Sequence, residues 1–78
     1  MTIRERIRYT RALYNITQKN VSDYMNCTKQ YITQIENNNL TATDEKLEEI
    51  LNAVYSVGEL KKKGRLKEVL EDLKKKGE

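Results

Sequence analysis

Between Thr17 and Asn37 the chain carries two short amphipathic segments with too few residues between them for anything but a tight reversal. Each opens with a threonine, Thr17 or Thr28, whose hydroxyl can cap the free backbone N–H groups of a first helical turn. Val21 and Met25 recur at i, i+4 in the first segment, and Ile32 and Ile35 at i, i+3 in the second. Each helix therefore has one narrow apolar face and must lay it on something else. Asn26 stands at the reversal, and asparagine tolerates a left-handed backbone better than most residues. The outward positions of the second helix are Lys29, Gln30, Thr33 and Gln34, with no carboxylate among them. That set suits a helix lying against base edges and phosphates. It suits equally the solvated face of an ordinary small helical domain, because these are common surface residues.

A resemblance favours the first reading. The segment resembles the helix-turn-helix of Cro/CI-type phage repressors, the XRE family. It is carried by Thr17-Gln18, by Val21-Ser22 where the family usually has Leu-Ala, and by Asn26 where it usually has glycine. It continues through Thr28 and Tyr31-Ile32-x-x-Ile35-Glu36, and the similarity runs from about Ile3 to Val54. Ser22 in place of alanine, Asn20 in place of glutamate and the absence of glycine from these turns are departures. The resemblance implies an all-α, lambda-repressor-like domain of about five helices, here with an extra amphipathic C-terminal helix. It also implies contacts to double-stranded DNA. Lys29, Gln30, Thr33 and Gln34 are expected at base edges, and Thr17, Gln18, Thr28, Tyr31, Asn37, Asn38 and Asn39 at the backbone. In the family an arginine at the position of Arg11 pairs with the glutamate that ends the recognition helix, here Glu36. Arg11 is thus expected to be structural.

Composition bounds the alternatives. Seventy-eight residues leave room for one domain and no separate catalytic or effector unit. No run of about 18 apolar residues is present to span a membrane, and the charged start from Arg4 lacks a signal peptide's apolar core. Cys27 is the single cysteine and histidine is absent, so neither a disulfide nor a metal or nucleophile–base site is supported. No cofactor is expected, and the natural setting is cytoplasmic. Charge is unevenly spread along the chain. Residues 1–37 hold six Lys/Arg against three Asp/Glu, residues 38–59 one against five, and residues 60–78 eight against four. Two basic blocks around an acidic one fit a protein that presents one side to a polyanion.

Thr2-x-x-Glu5 has capping-box spacing, so a helix is expected from Ile3. Ile3, Ile7 and Tyr14 lie near one face with Thr10 in the gap, Arg4, Arg6 and Arg8 point mostly outward, and Asn15 ends the helix before Ile16 enters the core. Tyr24 is expected to be partly buried, and Cys27 to be a packed, unreactive thiol. Thr43 caps a helix with Asp44 and Glu45 in its first turn. Its core face is Leu47, Ile50, Leu51 and Val54, and its outward side (Glu45, Glu48, Glu49) is acidic. Ser56-x-x-Glu59 is a further capping box, with Leu60 as an apolar anchor, and Gly64 is an interruption. Leu66, Val69, Leu70 and Leu73 then repeat the i, i+3, i+4, i+7 pattern, ending in Lys74-Lys75-Lys76-Gly77.

These signals divide the chain into residues 1–55, the DNA-binding domain, and residues 56–78, a helical extension for dimerisation or fold-back packing, with a homodimer whose interface includes residues 57–73 as the favoured expectation. Tyr9 and Leu13 form a second apolar strip on the first helix, a match for the C-terminal stripe within the chain or across a two-fold axis. The expected function is sequence-specific DNA binding by a small repressor that dimerises on an inverted repeat. A protein-interaction module, such as an antitoxin or inhibitor holding its partner through the C-terminal helix, is the alternative. No arrangement of general acid, base or metal ligands supports an enzyme.

Overall fold

The computed structural model describes residues 1–76, which form five helices. These are α1 (Ile3–Tyr14), α2 (Gln18–Met25), α3 (Lys29–Glu36), α4 (Asp44–Lys62) and α5 (Leu66–Lys76), with no strand among the described residues. Gly77, at the expected end of the last helix, lies outside them.

The first four helices start where a threonine can serve the backbone. The hydroxyls of Thr2, Thr17, Thr28 and Thr43 accept the N–H of Glu5, Asn20, Tyr31 and Lys46. Thr2 and Thr17 complete reciprocal capping boxes, with Asn20 in the place of the usual longer side chain and its Oδ1 accepting Thr17 N–H at 3.0 Å. Asn15, Asn26 and Asn38 take left-handed backbone at φ 55°, 57° and 59°. Asparagine thus stands in for glycine at these three positions at a modest conformational cost.

Ile7, Val21, Ile32, Ile35, Ile50, Val54 and Val57 are fully buried and form one core with Ile16, Leu47, Leu51 and Ala53. Three polar residues, Thr10, Ser22 and Glu36, are buried with them, and no buried side-chain polar atom among the described residues is orphaned. Ser22, in alanine's usual place, donates to Lys19 O at 2.9 Å, and Glu36 receives Arg11. The Arg11 guanidinium spans two helices, with Nε 3.1 Å from Glu36 Oε2, Nη2 3.0 Å from Oε1, and Nη1 donating to Ile16 O. Arg4 does not simply point outward. Its Nε and Nη2 donate to Ile35 O and Leu40 O, holding the end of α3 and the loop after it.

The C-terminal third departs from expectation. Ser56-x-x-Glu59 does not start a helix, because α4 runs unbroken through these residues to Lys62 and crosses the 55/56 boundary. A capping box acts only where the preceding residues leave helical geometry, and nothing upstream of Ser56 forces that. Val57 extends the buried face, Leu60 is only half-buried, and the chain turns at Gly64 with φ 72°. Gly58 is buried under Tyr14, where an added Cβ would overlap the root of the phenol ring. The ring also meets Tyr55 edge-on, with centroids 6.4 Å apart, and its hydroxyl donates to Glu59. α5 then returns onto α4 and α2. Leu66 packs on the core, Val69 and Leu70 are half-buried, and Leu73 stays exposed. Within the chain the stripe is therefore not laid on Tyr9 and Leu13, which are 55% and 67% exposed.

Arg11→Ala should lower stability by about 3 kcal/mol, since it strands the Glu36 carboxylate in the core. Chemical denaturation measures this, and an unchanged midpoint would show that the pair does not hold the fold. Gly58→Ala should cost about 1–3 kcal/mol, because the Tyr14 ring has to leave its seat. A Tyr14→Ala, Gly58→Ala double variant should show no further loss from the glycine change.

Candidate nucleic-acid interface

The local rules that build α2 and α3 also decide what they present. With 3.6 residues per turn, Lys29, Gln30, Thr33 and Gln34 fall within an arc of about 140° on α3, facing away from Ile32 and Ile35. Lys29 and Gln30 are exposed, and Thr33 and Gln34 half-buried. Tyr31 lies on the flank, half-buried against the core, so its ring is held while its edge stays accessible. Tyr24 is also half-buried, as expected.

One hydrogen bond joins the two helices at their outer edge. The Thr33 hydroxyl donates to Gln18 Oε1 at 2.7 Å and also lies 3.0 Å from Lys29 O. Gln18 sits at the first position of α2, beside the unpaired N–H groups of that helix. Its carbonyl is occupied by Thr33, and its amide donors remain for another acceptor. The first turns of both helices hold no carboxylate. The positive end of each helix dipole is thus left without an internal counter-charge.

Thr17 and Thr28 are exposed, and their oxygens already serve as caps, leaving only the hydroxyl hydrogens to donate elsewhere. Asn37, Asn38 and Asn39 form an exposed uncharged turn after α3. Asn38 and Asn39 N–H bond back to Ile35 O and Gln34 O, which fixes the turn and leaves the side-chain amides outward. Arg11 and Glu36 do not belong to this surface. Cys27 is half-buried beside the core, and burial pushes its thiol pKa up, which keeps it protonated and poorly nucleophilic near neutrality.

Sequence reasoning missed two members of the supporting frame, the Arg4 clamp and the Tyr14–Gly58 contact. Their partners lie far off in sequence, and no local pattern reports them. Among the described residues no helix is long and apolar enough to cross a membrane, and no group of three His, Cys, Asp or Glu could hold a metal ion.

No curated relative and no solved structure gives a match to this chain. A family model described as helix-turn-helix matches residues 7–54, from within α1 through most of the core face of α4. The matched segment contains both halves of the motif, the Arg11–Glu36 pair and the turn between Glu36 and Thr43. The chain therefore belongs to the Cro/CI-type (XRE) helix-turn-helix family and contains a DNA-binding domain of that kind.

Proposed function

We propose that this protein binds double-stranded DNA sequence-specifically and acts in the cytoplasm as a small transcriptional repressor, working as a dimer on an inverted repeat. The observation that carries the reading is the outward arc of α3, rich in amide and cationic donors and tied to the α2 N-terminus through Thr33 and Gln18. In this reading α3 enters the major groove. Gln30 and Gln34 take adenine N6/N7 edges, Lys29 a guanine edge, and Thr33 a flanking contact. Gln18, Thr17, Thr28, Tyr31 and the Asn37–Asn39 turn hold the phosphates on either side.

A single such module reads few base pairs, which is the reason to propose a pair of them on half-sites about 34 Å apart or a multiple of that. Tyr9 and Leu13, with Tyr55 beside them at 41% exposure, supply an apolar strip for the two-fold contact. On α1 this strip lies roughly opposite Arg4 and Arg11, which reach towards α3. Two copies joined through it would leave both α3 helices outward. A partner protein held by α5 has less surface to draw on, because Leu66 is already packed on the core.

Gln30→Ala and Gln34→Ala should each relax preference at one base position and cost about 1–3 kcal/mol of discrimination. Gln18→Ala should weaken cognate and random DNA alike. Binding measured over a site library decides this, and unchanged preferences in the first two variants would refute the groove geometry. Sedimentation of the free protein should show a dimer that Leu13→Lys converts to a folded monomer. An unaltered assembly state in that variant would remove the α1 strip from the interface.

A further inference from the structure

The end of α4 and the turn that follows it carry Lys61, Lys62, Lys63 and Arg65 around Gly64, with no acidic residue among them. The turn is not remote from the helix-turn-helix. Lys61 Nζ donates to Asn15 O, and Lys62 lines the same cleft as Asn15. Asn15 precedes Thr17, the cap of α2, by two residues, and Gln18 follows with its bond to Thr33 on the outward arc of α3. A chain of direct contacts thus runs from the α4–α5 turn, through the α1–α2 loop and the α2 N-terminus, to α3.

Apart from Lys61, the charges in this turn are largely uncommitted, as are those of Arg6, Arg8, Lys29 and Lys67, none of which forms an ion pair among the described residues. Arg4 and Arg11 are used internally, and Lys19 and Lys46 pair with Asp23 and Glu49. Lys62 and Lys63 have no carboxylate within ion-pair distance among the described residues, and Arg65 has only a loose contact at 3.9 Å to Glu68. Four like charges in five residues repel one another until a polyanion meets them. Helical continuation of α4 past Ser56 is what delivers them to the α1–α2 loop.

We propose that the α4–α5 turn is a second phosphate-binding element. Lys62, Lys63 and Arg65 would engage the DNA strand that the α2 N-terminus touches, beyond the part spanned by the helix-turn-helix itself. This rests on the reading of the domain as a sequence-specific DNA binder. The element adds affinity and salt dependence without reading sequence, since it offers charge to phosphate and no side chain to a groove.

The test uses the full chain and a duplex selected from a random pool, with dissociation constants measured across a series of salt concentrations. Wild type is compared with the Lys62→Gln, Lys63→Gln, Arg65→Gln triple variant. Lys61 is retained because of its bond to Asn15. Lys75→Gln serves as the charge control. It lies ten residues beyond Arg65, about 15 Å along α5, further than the roughly 8 Å screening length at physiological salt. The triple variant should bind the same sequence with a log–log salt slope shallower by about 0.9 for each phosphate it no longer neutralises. The control should keep the wild-type slope. A triple variant whose slope equals that of the control would overturn the proposal while leaving the DNA-binding reading intact. Altered preference at a base position would also overturn it, by making the turn a reader of sequence. A wild-type protein that selects no duplex would overturn both.

Discussion

The carboxylate of Glu36 cannot remain in the core without a partner, and that requirement organises the molecule. Glu36 ends α3 at 3% exposure, and Arg11 meets it with two hydrogen bonds from the last turn of α1. Arg4, two turns earlier on the same side of α1, holds Ile35 O and Leu40 O. The C-terminal end of α3 is therefore fixed by cations from a single helix, and the apolar contacts of Ile32 and Ile35 fix its roll. Only an α3 held at both its axis and its roll can present Lys29, Gln30, Thr33 and Gln34 as one rigid surface. Desolvation makes the pair poor in net stabilisation, yet losing either half is expensive. Its contribution is to make other packings of α3 unfavourable.

The outer edge of the motif is ordered more lightly. Thr33 and Gln18 share one exposed-side hydrogen bond, which sets the α2 N-terminus against the recognition arc without burying either group deeply. Such a contact can tighten or exchange when a phosphate arrives. The inner edge, made of Arg11, Glu36 and the isoleucines, cannot. A rigid inner edge with an adaptable outer one suits a helix that must enter a groove at a set angle and still find its final hydrogen bonds.

The length of α4 has consequences at both ends of the chain. By continuing through Ser56 it places Gly58 beneath Tyr14, carries Val57 into the core and sets the basic turn against Asn15. It also determines where α5 can return. From Gly64 the last helix meets α2 and α4, and its apolar stripe is consumed in part by the chain itself. The strip of Tyr9 and Leu13 is consequently left uncovered.

The sequence alone determined what is local. Threonine caps, asparagine reversals and the core stripes of α2, α3 and the first part of α4 were legible because each depends on residues within one or two turns. The roles of Arg11 and Glu36 were legible only through resemblance, since 25 residues separate them and nothing between announces the pairing. Ser56-x-x-Glu59 misled because capping chemistry acts only at a helix end, and the core contacts of Val57 and Gly58 left no end there. The stripe of Leu66, Val69, Leu70 and Leu73 said that α5 must be covered and could not say by what. Which surface covers it depends on the direction the chain leaves Gly64, and that direction is set by where the long α4 ends. Tertiary structure decided these points because burial is settled between segments, and a one-dimensional pattern records only which side chains seek it.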